Sequence, residues 1–275
     1  MCRSKEPMYF IDNERYPRSI DWYGSLFEEG RAATIRGDAS IRYGACPYVC
    51  ERIRKVVPSP KFIFLLRNPI WRTWSHFRWA QALGFETRPI QTAYMNGPDI
   101  DATYSGERLG LYTNYLQESH YSEYIRTYID AFGGDNVLVI TSEVLESEPG
   151  KVLQECTDFL KVPRFGNLSP IRTNVTPRDE YGRLYAVLTG TSHSDPRVRK
   201  LQTVLGPVSS LGRRSRWLRK RVRSAVMKRL GGWPEESLSS DDYEFLRREL
   251  AEEVERLRGL LETPFEEWDE DFPRF

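Results

Sequence analysis

The stretch that most restricts how this chain can fold is Lys-Phe-Ile-Phe-Leu-Leu-Arg-Asn-Pro at residues 61–69, followed by Ile-Trp-Arg-Thr-Trp-Ser-His-Phe at 70–77. An apolar run of strand length ends abruptly in Arg67-Asn68-Pro69. Continuous apolar letters, instead of alternating ones, are the pattern of a strand buried on both faces, as at the centre of a parallel sheet. Proline loses nothing in the first turn of a helix, where its N–H would be unpaired anyway, so Pro69 predicts a helix beginning there. Arg67 then stands at the carboxyl end of a central strand, and Ser75 lies about two turns into the next helix. Ligands of open α/β sheets bind in that crevice. A buried guanidinium beside helix N–H groups and a serine hydroxyl suits a phosphate. A plain core strand ending in a solvated arginine would be written in the same letters. Arg72, one turn in, either adds charge to such a site or pairs on the helix surface.

The rest of the chain supports alternating strands and helices. Apolar spacing of three and four predicts helices over 19–30, 47–57, 149–160 and 240–261, and one long or broken helix over 109–132 that stops at Gly133-Gly134. Residues 32–35 read as a short strand and 136–140 as a second buried strand, while 84–106 reads as a surface excursion rich in turn formers. Asp195 and Pro196 predict a helix over 195–205. The expected fold class is therefore α/β, with a central parallel sheet flanked by helices. The 275 residues suit one domain, 1–275, with residues 206–235 as a basic helical insertion.

Composition closes off several classes. A net charge of +1 does not describe a general nucleic-acid binder. Four cysteines and three scattered histidines show no zinc spacing, and no disulfide framework is expected. No segment approaches the ~18 consecutive apolar residues of a membrane span. The Gly-x-x-x-x-Gly-Lys-Ser/Thr loop of nucleotide kinases is not in the sequence, so a kinase-like phosphotransferase ranks well below other readings.

Arg67-Asn68-Pro69-x-x-Arg72-x-x-Ser75-x-Phe77 resembles the 3′-phosphate-binding motif of sulfotransferases that use 3′-phosphoadenosine 5′-phosphosulfate, in particular the heparan-sulfate-type and related bacterial carbohydrate enzymes. Other segments follow in that family's order. Lys5-Glu6-Pro7-Met8-Tyr9-Phe10 resembles its Lys-Glu-x-His-Phe-Phe, and Gly37-Asp38-Ala39-Ser40-x-x-Tyr43 its Gly-Glu-Lys/Ala-Ser/Thr-Pro-x-Tyr. Gly110-x-Tyr112, the 137–145 stretch ending Glu143-x-Leu145, and Phe159-Leu160 match later landmarks. The resemblance implies a sulfotransferase fold like that of the P-loop nucleotide-binding proteins. It implies 3′-phosphoadenosine 5′-phosphosulfate as co-substrate, no metal, and a hydroxyl or amine acceptor on a carbohydrate. It assigns Arg67 and Ser75 to the 3′-phosphate and Glu6 to the general base. It places Tyr181, Gly182 and Arg183 in a loop over the nucleotide, and Lys5 and Arg42 near the acceptor.

The sequence departs from the family at three points. The first strand and its Lys-x-Gly-Thr loop for the 5′-phosphosulfate are not found, which leaves a truncated, non-catalytic nucleotide- or glycan-binding relative as the alternative. Met8 stands in place of a histidine, and Ala39 in place of the heparan-type lysine. The sequence as written reads as a soluble cytoplasmic chain; a Golgi-lumen fragment fits if its amino end is missing. The basic segment 213–229 admits three readings: a solvated helix face, contact with an anionic membrane, or a cleft for an anionic glycan. Its basic residues are not interleaved with aromatics, so single-stranded nucleic acid is not an expected partner.

Overall fold

The structure is a computed structural model describing residues 2–3, 6–11, 18–44, 46, 48–82, 88–95, 115–164 and 238–274. In chain order its main elements are α1 (Ile20–Ser25), α2 (Tyr48–Val56), β1 (Phe62–Leu66), α3 (Pro69–Ala82), α4 (Ile90–Met95), α5 (Tyr121–Phe132), β2 (Val137–Thr141), α6 (Ser142–Ser147), α7 (Pro149–Leu160) and α8 (Ser240–Leu261). They fall into two compact units. One comprises Met1–Leu66, His120–Leu168 and Glu253–Asp269; the other comprises Arg67–Ser119, Ser169–Glu252 and Glu270–Phe275.

The first unit is built on the two strands. They pair in parallel, from Phe62 opposite Val137 to Leu66 opposite Thr141. Parallel strands need a long crossover, and α3, α4 and α5 lie in the chain between them. Phe62 and Phe64 turn toward α5. The Phe62 ring lies 4.7 Å from both Tyr128 and Phe132, and the Phe64 ring 5.2 Å from Tyr128. Gly133 ends α5 at φ +86°, a backbone angle that favours glycine, and its N–H bonds the Ile129 carbonyl at 2.7 Å.

The expectation that β1 is buried on both faces holds for one face only. Ile63 and Leu65 are 39% and 54% exposed, because successive side chains leave a strand on opposite sides and among the described residues β1 pairs with β2 alone. Two further expectations are corrected. Residues 32–35 form no strand; all four are exposed, and the Ala33 N–H turns back to the Gly30 carbonyl at 2.9 Å. The 84–106 excursion contains α4, whose Ile90 and Ala93 are buried; their helical spacing was masked by the surrounding turn formers. Of the 109–132 stretch, the described part is a 3₁₀ turn at Gln117–Ser119 followed by α5, and residues 109–114 lie outside the described residues, as do the 195–205 helix and the 206–235 insertion.

A buried carboxylate ties α8 to the amino end of α5 within this unit. Glu253, 1% exposed, accepts the Ser122 N–H at 2.6 Å and the Ser122 hydroxyl at 2.8 Å, and so satisfies the amino end of α5. It also pairs with Arg256 at 3.4 Å. Replacing Glu253 by alanine leaves a buried N–H unpaired and a cavity, and is expected to destabilise the protein by about 2–4 kcal/mol in urea unfolding.

Candidate functional site

The second unit carries the Arg-Asn-Pro motif. Asn68, 2% exposed, caps α3: its Oδ1 accepts the Ile70 N–H at 3.1 Å. Its Nδ2 donates to Asp271 at 2.8 Å, and Asp271 also accepts the Tyr243 hydroxyl at 2.6 Å. Burial and that carboxylate push the Tyr243 hydroxyl up to about 12. The asparagine of the motif is thus spent on architecture. Arg67 is exposed, not buried as the sequence predicts, because extended backbone alternates: Leu66 turns inward, Arg67 outward, Asn68 inward.

Arg72 is committed within the unit. Its Nε donates to the Ser119 hydroxyl at 2.6 Å, one Nη to the Tyr115 carbonyl and the other to Glu118 at 3.2 Å. Ser119 is fully buried and also meets Thr73 at 2.6 Å. The guanidinium therefore ties the 115–119 turn to α3, the pairing reading of the two left open. One turn further on, Ser75 is half-buried, and its hydroxyl makes no hydrogen bond among the described residues. Arg67 lies just before α3 and Ser75 nearly two turns into it; a planar cation and a hydroxyl are the donor types that suit a phosphomonoester.

In the first unit, Glu6 is half-buried, and among the described residues its carboxylate makes no hydrogen bond or ion pair. The residues after it are firmly seated: Tyr9 and Phe10 are 2% and 3% exposed, in a core with Cys46, Val49 and Ile53. The Tyr9 hydroxyl donates to the Arg18 carbonyl at 2.8 Å, and Arg52 donates to the Phe10 carbonyl at 2.8 Å. Arg42 lies half-buried in the 3₁₀ turn Ile41–Tyr43. Lys5, Tyr181, Gly182, Arg183 and the segment 213–229 lie outside the described residues. Ser40, which the sequence offered only as part of a motif, accepts the Met8 N–H across more than thirty residues of chain and donates its own hydroxyl to Asp38, a pairing no local pattern reveals. Among the described residues no cluster of three or more His, Cys, Asp or Glu could hold a metal, and no helix is long and apolar enough to cross a membrane.

The parallel α/β fold is shared with a sulfotransferase of known structure. The chain superposes on the crystal structure of a sulfotransferase from Alicyclobacillus acidocaldarius with a TM-score of 0.61, over 97% of this chain and 87% of that one, at 20% identity. In sequence it is similar to bifunctional heparan sulfate N-deacetylase/N-sulfotransferase 1 of Caenorhabditis briggsae, 25% identical over 175 residues, and of Mus musculus, 26% over 165 residues. It is also similar to human heparan sulfate glucosamine 3-O-sulfotransferase 6, 29% identical over 164 residues. These matches cover 62%, 57% and 58% of this chain, but 20%, 18% and 44% of the respective relatives. No family profile matches. The chain is thus related to the sulfotransferases its motifs resemble, in sequence and in fold.

Proposed function

We propose that this chain transfers a sulfuryl group from 3′-phosphoadenosine 5′-phosphosulfate to a hydroxyl or amine of a carbohydrate. The observation that carries the reading is the coincidence of heparan sulfate sulfotransferase relatives with a sulfotransferase fold over nearly the whole chain. The donor supplies an activated sulfuryl group and a good leaving group. Arg67 and Ser75 hold its 3′-phosphate, the guanidinium by paired charge-assisted bonds and the hydroxyl by a single one. Glu6 accepts the proton of the acceptor hydroxyl or amine as that atom bonds to sulfur and the bond to the 5′-phosphate oxygen breaks. A neutral alcohol is a weak nucleophile, and a positioned carboxylate typically contributes about 10²–10⁴-fold to such a step. Arg72, committed to Ser119, Glu118 and the Tyr115 carbonyl, fixes the 115–119 turn to α3 and is assigned no contact with the phosphate.

The test is transfer of radiolabelled sulfate from the donor to N-deacetylated and fully N-acetylated heparan-type polysaccharides. Label on the polysaccharide supports the reading. Nucleotide binding without transfer to either acceptor favours the non-catalytic alternative.

A further inference from the structure

We propose that Asp38 is the positioning residue for the segment that carries Glu6. The proposal rests on the reading of Glu6 as the base. It comes from a hydrogen-bond relay whose polarity is set by one carboxylate. Asp38 Oδ1 accepts the Ser40 N–H at 2.9 Å and the Ser40 hydroxyl at 2.7 Å. Its Oδ2 accepts the hydroxyls of Tyr23 and Tyr43, each at 2.9 Å. A carboxylate only accepts, so all three hydroxyls must point their single proton at it. That leaves the Ser40 and Tyr43 oxygens as acceptors, and each takes a backbone N–H of the Glu6 segment. Met8 N–H donates to Ser40 at 3.0 Å, and Phe10 N–H donates to Tyr43 at 3.4 Å.

The segment needs such a hold. Met8 sits at φ +54°, a backbone region that favours glycine and persists in other residues only where the surroundings enforce it. Between Met8 and Glu6 lies only Pro7, buried and with φ fixed by its ring, so restraint at Met8 passes directly to Glu6. The tyrosines are dependable donors: burial, with Asp38 alongside, raises the pKa of both Tyr23 and Tyr43 well above the ordinary value. They also pack on the segment, Tyr23 stacked on Tyr9 with ring centres 4.6 Å apart and Tyr43 edge-on to Phe10 at 5.6 Å.

Asp38→Asn tests the relay with little change of shape. If the new amide faces the tyrosines, it donates to them and competes with the Phe10 N–H. If it faces Ser40, it opposes the Ser40 N–H and frees the hydroxyl proton to turn toward Met8. Amide hydrogen exchange at Met8 and Phe10 is expected to quicken at least about tenfold. Turnover should fall about 10–100-fold, the usual effect of a slightly misplaced catalytic group, with unchanged affinity for adenosine 3′,5′-bisphosphate. In an Glu6→Gln background Asp38→Asn should cost no further activity, because it acts through the residue already removed. Ser40→Ala, which removes only the acceptor for Met8, should quicken Met8 exchange and leave Phe10 protected, and serves if Asp38→Asn folds poorly. Unchanged Met8 exchange in both variants would overturn the proposal, as would full multiplication of the Asp38→Asn and Glu6→Gln losses. Parent-like turnover of Glu6→Gln alone would instead refute Glu6 as the base, while the exchange data still decide whether Asp38 holds the segment.

Discussion

Replacing Glu6 by glutamine is expected to lower kcat for sulfuryl transfer by about 10²–10⁴-fold, the range lost when a general base is removed. The amide keeps the volume of the side chain but cannot take the acceptor's proton at neutral pH. Glu6 is half-buried and makes no hydrogen bond or ion pair among the described residues, so the substitution breaks no structural contact there. Thermal stability should therefore stay within about 0.5 kcal/mol of the parent. Affinity for adenosine 3′,5′-bisphosphate should also be unchanged, since Glu6 is assigned to the acceptor side. A drop in kcat with intact nucleotide binding is the signature sought in steady-state kinetics paired with calorimetry. An equal loss of both would mean that Glu6 supports the fold and not the proton transfer.

The second large effect is at Arg67. Arg67→Ala is expected to weaken adenosine 3′,5′-bisphosphate by about 100-fold, because hydrogen bonds to a charged phosphate contribute roughly 1.5–3 kcal/mol each and 1.4 kcal/mol is tenfold in affinity. Arg67→Lys should recover only part of this, since an ammonium cannot make the paired contact of a guanidinium. Because Arg67 is exposed while its neighbours Leu66 and Asn68 are buried, its loss should leave the melting temperature nearly unchanged. Calorimetry and thermal denaturation on the same samples separate a binding defect from a folding one.

Local chemistry made much of this fold legible. Pro69 and Pro149 begin α3 and α7 where proline costs least, Gly133 ends α5, and the stripe Leu246, Leu250, Val254 and Leu257 is buried as its helical spacing predicts. What could not be read depends on neighbours distant in sequence. The letters of 32–35 suit a strand, but no strand lies beside them among the described residues, so they remain irregular. Nothing near Arg72 announces that the Tyr115 carbonyl and Ser119 will claim its guanidinium. The opposite fates of Arg67 and Asn68 follow from which side of the extended chain faces α8's tyrosine and Asp271, not from residue type. The relay through Asp38 is the extreme case, since it joins Met8 to Ser40 across a separation that no periodicity spans.

The most direct measurement is the affinity of the parent chain for adenosine 3′,5′-bisphosphate compared with adenosine 5′-monophosphate, by calorimetry under one buffer condition. A 3′-phosphate held by Arg67 and Ser75 predicts that the bisphosphate binds at least about 100-fold more tightly. Equal affinities would contradict it, for then nothing in this chain reads the group that distinguishes the sulfate donor from ordinary adenine nucleotides.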